Sequence, residues 1–256
     1  MKNNKRDIVY ILKNNPPTEE LRYSLRSVAE NWPVRHVWFI GGCPEGFRPD
    51  RKIEHEQTGG SKWERAKSSL IMACQCPDIT EEFYLFNDDF FVLQPPPEPF
   101  INYANGSIGH RIAEIITKNR NRGSAYTRGL EDLAYRLRRK GHDTISFAVH
   151  MPLLVDKKRM LDLLTSRESH FAFRSLYGNV CEIPYIYHRD VKIYDMQTVP
   201  DESWDYLSTT EQSFDFGKVG EWIRERFPNP CRYEEKTKKQ SPVRELYTEE
   251  GDEIYT

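Results

Sequence analysis

EEFYLFNDDFFVLQPPPEPF, residues 81–100, is the most informative part of the chain because an acidic triplet interrupts a strand-like apolar run. An aromatic and aliphatic tetrad precedes Asn87-Asp88-Asp89, and a second apolar run and three prolines follow it. The pattern predicts a buried strand over residues 83–93 that carries two carboxylates. Burying a carboxylate is costly unless it is paired or binds a metal. We therefore expect a cationic group or a metal ion beside Asp88 and Asp89.

Apolar runs and helical patterns alternate upstream of this stretch. Strands are predicted at 7–12, 36–40 and 53–56, with helices from Thr18 and from Ser61 to about Cys74. This alternation predicts an α/β fold with parallel strands. Ligands of such folds bind at the carboxyl ends of the strands. We expect one crevice there, formed by Asn14-Asn15, Gly41-Gly42 and Asp88-Asp89.

The bulk composition indicates a globular protein without a membrane span. The chain has 256 residues, a net charge of −2 and five cysteines without CxxC spacing, so neither a zinc site nor a disulfide framework is indicated. No apolar run approaches the ~20 residues of a spanning helix, and a cytoplasmic location is expected. We predict a single domain over residues 1–232 and a mobile polar tail over 233–256. The sequence leaves the oligomeric state open.

Two groups of side chains are predicted to bind an anionic ligand and its metal. Carboxylates at a strand end can hold Mg²⁺ or Mn²⁺ while substrate phosphates fill the other positions; a solvated turn is the alternative. Lys62 and Arg65 lie in the first turns of the predicted second helix, where cations do not favour the helix dipole. These two residues are predicted to bind phosphate, with a solvated helical face as the alternative.

The second half offers further candidates for the chemistry. His150 ends the apolar run 145–149, which we interpret as a strand, and a neutral imidazole there is either a metal or diphosphate ligand or a structural residue. His188 has the same two interpretations with weaker support. Asp190 and Glu182 are candidate catalytic bases, and the sequence does not decide between them.

Residues 111–140 form a basic, helix-like segment. Nine Lys and Arg residues against three acids give a local charge of +6 (nine minus three). Such a surface suits a phosphate backbone, although a helical face whose charges are balanced elsewhere is the alternative. The predicted acceptor-binding residues are Arg128, Arg136, Arg138 and Arg139.

Several segments resemble known transferases. A glycine break, a helix with basic residues and an apolar strand ending in an acidic motif are similar to GT-A nucleotide-sugar transferases. The segments DIVYIL, ELRYSLRSVAENWPVRHVWFIGG and FYLFNDDFFVLQPP, and later FAVHMPLLVDK and FRSLYGN, resemble successive blocks of the Stealth family of sugar-phosphate transferases. The match covers roughly residues 7–95 and 145–180. The resemblance implies a GT-A-like (Rossmann-like) mixed sheet flanked by helices, here with a basic helical insertion at about 110–142.

The chain also departs from the Stealth blocks. Leu12-Lys13-Asn14-Asn15 stands where the family has a Trp-Val-Asp-Gly type motif, and Ser61-Lys62-Trp63 stands where it has Phe-Asn-Ser. The acid and amide of those motifs are absent, which favours glycosyl transfer over sugar-1-phosphate transfer.

The resulting hypothesis is a metal-dependent glycosyltransferase that moves a sugar from a nucleotide-diphosphate sugar to an acceptor hydroxyl. The acceptor is expected to be a hydroxylated base in phage DNA or a phosphorylated glycan. The alternatives are a Stealth-like sugar-1-phosphate transferase that acts on a glycan and a non-catalytic polyanion-binding protein. The assigned roles are donor binding for Asn14, Lys62, Arg65, Asn87 and Asp88, Mn²⁺ or Mg²⁺ binding for Asp88, Asp89 and His150, and catalysis for Asp89, Asp190 and Glu182.

Overall fold

The computed structural model describes residues 5–14, 18–57, 60–119 and 124–235. Within these ranges the strands are β1 (Asp7–Leu12), β2 (Val37–Gly41), β3 (Arg51–Glu54), β4 (Glu82–Phe86), β5 (Phe90–Val92), β6 (Asn102–Ala104), β7 (Leu153–Asp156), β8 (Tyr185–Tyr187), β9 (Lys192–Ile193) and β10 (Tyr206–Thr209). The helices are α1 (Thr18–Asn31), α2 (Lys62–Gln75), α3 (Ile108–Asn119), α4 (Ala125–Arg139), α5 (Lys157–Thr165), α6 (Phe173–Val180), α7 (Glu211–Phe216) and α8 (Lys218–Arg226).

The main sheet has the strand order β3-β2-β1-β4-β7. Its first four strands are parallel, and β7 runs antiparallel to β4. Parallel strands need crossover connections: α1 connects β1 to β2 and α2 connects β3 to β4, whereas residues 42–50 connect β2 to β3 without a helix. Side chains of β4 alternate between two hydrophobic clusters, with Tyr84 and Phe86 in one and Phe83 and Leu85 in the other. Both faces of the sheet are therefore covered, and the predicted mixed α/β fold flanked by helices is confirmed.

The two crossover helices follow the predicted patterns. Leu21, Leu25 and Val28 of α1 are fully buried. Ser61 caps α2 in a capping box: its hydroxyl accepts from the Glu64 backbone N–H, and the Glu64 carboxylate accepts from the Ser61 backbone N–H. The basic segment is helical too, as α3 and α4. The buried leucines of α4 form a cluster with Ile108 and Leu176.

The predicted single strand over residues 83–93 is wrong, because the chain turns at the acidic triplet. The Phe90 backbone N–H donates to the Asn87 carbonyl at 3.3 Å. From there β5 pairs antiparallel with β10 in a separate sheet of three strands, β5-β10-β9. Both halves are buried and apolar, so hydrophobicity alone could not show the change of sheet. The two carboxylates therefore lie in the turn that joins two sheets.

The predicted strand over residues 145–149 also needs correction. The run 145–149 is not a ladder strand, and the next strand, β7, begins only at Leu153. Side chains of α6 hold this run: the Ile145 N–H donates to Asn179 Oδ1 at 2.8 Å and the Phe147 N–H to Ser175 Oγ at 3.0 Å. The Ser146 backbone, by contrast, donates to the Gly106 carbonyl and accepts from the Asn105 N–H, so side chains of α6 supply only part of the hydrogen bonding of this run.

The packed part of the chain extends beyond the predicted boundary at residue 232. Tyr233 is 1% exposed, and Glu234 forms ion pairs with Arg22 (2.7 Å) and Arg26 (2.8 Å) of α1. Glu234 and its two arginine partners lie far apart in sequence, so the polar composition of residues 233–235 did not reveal that this segment packs against the domain. The remainder of the predicted tail, 236–256, lies outside the described residues. No helix in the described ranges has the length and apolar character needed to cross a bilayer.

Candidate active site

The carboxyl ends of β1, β2 and β4 meet at one edge of the main sheet, as expected. The approach is closest at Gly42, where a Cβ atom would stand 2.0 Å from the Lys13 carbonyl oxygen and 3.0 Å from Asn14 Cα. A side chain at this position would clash with backbone, so glycine is required for the approach. The charges of Lys13 and Lys62 act on Asp88 from the same edge. The ends of β1 and β4 and the first turn of α2 therefore share one crevice.

The Asp89 carboxylate has the cationic partner that its sequence context predicts. Asp89 Oδ2 accepts from Lys192 Nζ at 2.6 Å and from Ser208 Oγ at 3.2 Å. Both charged side chains are mostly buried, at 15% exposure for Lys192 and 13% for Asp89. Asp89 Oδ1 is buried and has no hydrogen-bond partner among the residues that the structure describes. One oxygen of this carboxylate is thus neutralised within the protein, and the other is left for a ligand.

Two more carboxylates, those of Asp88 and Glu20, lie near Asp89. Burial, and then the neighbouring charge of Asp89, raise the pKa of Asp88. Burial also raises the pKa of Glu20 to about 7, although its carboxylate accepts a 2.6 Å hydrogen bond from Thr209 Oγ1. The charges of Asp89 and Asp88 raise it further. Glu20 was not identified from the sequence, because a Glu in a first helical turn is an ordinary helix-start signal.

The acidic pair fits a divalent cation only in part. Unpaired Asp89 Oδ1 and the mutual repulsion of Asp88 and Asp89 favour a bound cation. Within the described ranges, however, no three His, Cys, Asp or Glu side chains lie close enough together to hold a metal ion. The predicted shell of Asp88, Asp89 and His150 is therefore not assembled. Two carboxylates suit Mg²⁺ or Mn²⁺ only when substrate phosphates and water complete the coordination.

His150 pairs with Asp190 instead. His150 Nδ1 lies 2.9 Å from both carboxylate oxygens of Asp190, and the His150 backbone N–H donates to Oδ1 at 3.1 Å. Burial alone would raise the pKa of Asp190, but the His150 hydrogen bonds and charge and the charge of Arg111 hold it below the usual value. An ionised carboxylate only accepts hydrogen bonds, so Nδ1 is the donor, and in the neutral form of the ring the lone pair is on Nε2.

Two arginines lie beside this pair: Arg174, which was not identified from the sequence, and Arg111, which was counted only as part of the basic segment 111–140. Arg174 Nη1 donates to the carbonyls of Val149 (3.2 Å) and Met151 (2.7 Å), while its buried Nη2 has no partner within the described ranges. Burial lowers the pKa of Arg174 to about 10. Arg111 Nε is likewise buried and has no partner in the described part of the chain. Arg174 lies within FRSLYGN, a segment singled out above, but only its buried setting distinguishes it from other arginines.

These groups surround a cavity of about 400 Å³. Asn87, Phe90, Arg111, His150 and Arg174 contribute to its wall. Its volume is within the range of about 300–1,000 Å³ for small-molecule sites. Two guanidinium groups that each have one nitrogen without a partner among the described residues, an amide and an imidazole together form a site suited to an anionic substrate that undergoes proton transfer.

The predicted donor-binding residues differ in their solvent exposure. Asn14, Lys62 and Asn87 are exposed at the crevice edge. Arg65 is half-buried, and its Nη1 donates to the Gly60 carbonyl at 2.8 Å, so its guanidinium supports the loop before α2.

Glu182 does not join the site. It follows α6 at the end opposite Arg174, about 12 Å away along the eight-residue helix. There the neighbouring Cys181 carbonyl accepts from Arg159 near the start of α5. Of the two candidate bases, only Asp190 lies in the crevice, and it acts on His150.

The predicted acceptor-binding arginines lie along the exposed side of α4. Tyr126 of this helix lines the cavity, but Arg138 is twelve residues further on, which is about 18 Å along the helix axis. Arg136 pairs with Asp132 at 2.7 Å, and Arg139 lies over the Tyr135 ring at 5.8 Å. Arg128, two residues after Tyr126, is exposed nearer the cavity. The four arginines thus spread along a helix rather than converge on the crevice.

The chain is similar to a capsular polysaccharide phosphotransferase. This relative, LcbA of Aeromonas hydrophila, is 26% identical over 122 residues, which make up 44% of this chain and 32% of the relative. The similarity confirms the resemblance to Stealth-type transferases, and the chain spans about a third of the relative's length. No family model matches the chain.

A solved structure also aligns with most of the chain. The glycosyltransferase GlyE of Streptococcus pneumoniae TIGR4 aligns over 88% of this chain and 50% of its own, with a TM-score of 0.36 and 10% identity. A match at this level is a loose similarity, so the residues of the crevice themselves must support a functional assignment.

Proposed function

We propose that the protein transfers a sugar phosphate from a nucleotide-diphosphate sugar to an acceptor hydroxyl. The single observation that carries this proposal is that His150, held by Asp190, lines one cavity with Arg174 and Arg111, each of which has a guanidinium nitrogen without a partner among the described residues. A base beside fixed guanidinium donors is suited to attack on a phosphoryl group, whose oxygens gain charge as the reaction proceeds. The name of the relative, a capsular polysaccharide phosphotransferase, supports the same reaction class.

The reaction needs a base, an anion site and a leaving nucleotide. His150 Nε2 takes the proton of the acceptor hydroxyl, and Asp190 stabilises the imidazolium that forms. The acceptor oxygen forms a bond to the phosphorus that carries the sugar, and the bond from that phosphorus to the bridging oxygen breaks. A nucleoside monophosphate leaves. Arg174 and Arg111 donate to the phosphoryl oxygens during this displacement.

Asp88 and Asp89 are the residues that would hold a divalent metal, which would neutralise charge on the diphosphate. Lys62 and Asn87 stand at the crevice edge to contact the nucleotide. Lys192 Nζ holds the Asp89 carboxylate in place through a 2.6 Å hydrogen bond. Before the substrate enters, this ion pair offsets part of the repulsion between the neighbouring carboxylates.

Glycosyl transfer is the second candidate, favoured by the departures from the Stealth motifs at residues 12–15 and 61–63. In that reaction the acceptor oxygen attacks the anomeric carbon, and a nucleoside diphosphate leaves. His150 is again the base. The predicted DNA acceptor and the non-catalytic alternative stay predictions, and the α4 arginines remain the residues that test them.

Product analysis distinguishes the two reactions without knowledge of the acceptor. The protein is incubated with a panel of nucleotide-diphosphate sugars and Mg²⁺ or Mn²⁺, and released nucleotides are separated by chromatography. Slow transfer to water is expected to release a nucleoside monophosphate from one donor, and His150→Ala to abolish the release. A nucleoside diphosphate instead would establish glycosyl transfer. No release from any donor, with and without added oligosaccharides, would contradict both assignments.

A further inference from the structure

A larger cavity, of about 1130 Å³, adjoins the candidate active site. It lies between α3 and the segment 187–198. Arg111, Ile115 and Tyr194 line both cavities. Asp190 lines the larger cavity, and its partner His150 lines the smaller one. A molecule in the larger cavity would therefore extend toward the catalytic pair.

Aromatic side chains line this larger cavity while remaining unusually exposed. Tyr187 is 64% exposed and Tyr194 is 57% exposed. The Tyr187 ring stands perpendicular to that of Tyr185 at 5.3 Å, which fixes its orientation. Arg189 covers the third ring, that of Trp204, at 4.5 Å. Fixed aromatic surface beside hydrogen-bonding groups suits ligands that have both an apolar face and polar edges.

The positive and negative side chains that line this larger cavity are equal in number. Its wall carries three cationic side chains, Arg111, Arg189 and Lys192, and three carboxylates, Glu114, Asp190 and Asp195. Most of these groups already have partners: Arg111 lies 3.3 Å from Glu114 and 3.8 Å from Asp190, and Lys192 pairs with Asp89. A polyanion would require a net positive surface. The balance therefore favours an uncharged ligand.

We propose that this cavity is the acceptor subsite and that it binds a neutral oligosaccharide. This inference rests on the proposed function, since it assumes that the adjoining cavity holds the donor. A sugar ring places its C–H face on Tyr187 or Tyr194 and its hydroxyls toward polar wall groups such as His188 and Asn105. The volume exceeds the usual range of about 300–1,000 Å³ for small-ligand sites, which suits several sugar units. The acceptor would then be a glycan rather than DNA.

The test combines binding and kinetics with matched variants. Wild type, Tyr187→Ala, Tyr194→Ala and the control Phe216→Ala are applied to an array of neutral glycans, and affinities for the best glycan are measured by calorimetry. Phe216 is 76% exposed and outside both cavities, so its removal controls for the loss of a surface ring. Each tyrosine variant is expected to bind roughly tenfold more weakly and the control equally well. The acceptor KM should rise in parallel, with a smaller change in kcat.

The binding should also be insensitive to salt, because no ion pair forms with a neutral ligand. Failure of every neutral glycan to bind, or equal affinity in the tyrosine variants, would overturn the proposal. Binding of duplex DNA that weakens in both tyrosine variants would overturn it in favour of a polyanionic acceptor. Donor hydrolysis by the wild type, measured without acceptor, separates these outcomes from a failure of the proposed function itself.

Discussion

Replacement of Asp190 by Asn is expected to remove most of the catalytic power while the site keeps its shape. The Asp190 carboxylate accepts from the His150 backbone N–H at 3.1 Å and from Nδ1 at 2.9 Å. The Asn carbonyl oxygen can keep the backbone contact, but its NH₂ group then faces Nδ1. Nδ1 must become the acceptor, so the proton moves to Nε2, and the imidazole can no longer take a proton from the acceptor hydroxyl.

General acid–base catalysis contributes about 10²–10⁴ in rate, and loss of a carboxylate that fixes the tautomer belongs at the upper end. We therefore expect kcat to fall by about 10³- to 10⁴-fold, with little change in the donor KM. Nucleotide release from the donor identified by the panel is measured by chromatography, and circular dichroism checks the fold. The control is Asp215→Asn, an exposed carboxylate on α7. A folded Asp190→Asn protein within threefold of the wild-type rate would refute the assignment of His150 as base.

The remaining predictions concern the buried charges. Glu20, with its pKa raised to about 7, keeps its proton in the folded state while the unfolded side chain loses it near pH 4.3, so metal-free stability should fall between these values by up to about 3 kcal/mol. Urea unfolding at pH 5 and pH 8 should show this fall in the free energy of unfolding for the wild type but not for Glu20→Gln. The same change in unfolding free energy between the two pH values in both proteins would contradict the buried-acid assignment. Lys192→Met should destabilise the protein by about 3 kcal/mol, because Asp89 loses its cation while mostly buried. The double variant with Asp89→Asn should regain most of this loss in thermal unfolding, whereas additive losses would show that the pair is not coupled.

Local patterns carry the parts of the fold that the sequence could predict. β1, β2 and α2 follow from apolar runs, glycine breaks and the capping signal at Ser61, and they locate the crevice at the strand ends. The acidic triplet was also correctly placed in that crevice. Its neighbours were not predictable, since Lys192 lies 103 residues from Asp89 in sequence. Contacts at that separation depend on how the second sheet packs, which no periodicity encodes.

The choice between the candidate bases shows the same limit. Asp190 and Glu182 are both acids in the second half, and nothing local separates them. The direction of helix α6 separates the two acids, because its first turn places Arg174 at the crevice and its other end leads to Glu182 on the far side. The partnership of His150 with Asp190 spans 40 residues, and it replaced the predicted metal role of His150. Composition also misplaced the start of the tail, because Glu234 is polar yet ion-paired within the fold.

The most direct test of the account is a crystal structure of the protein soaked with nucleoside diphosphates and Mg²⁺. The pyrophosphate is expected at the carboxyl ends of β1 and β4, within reach of Arg174 and Asn87, with the base toward Lys62. Density for the nucleotide on the exposed face of α4, or at any place away from Asp88 and Arg174, would contradict the central claim that this crevice is the donor site.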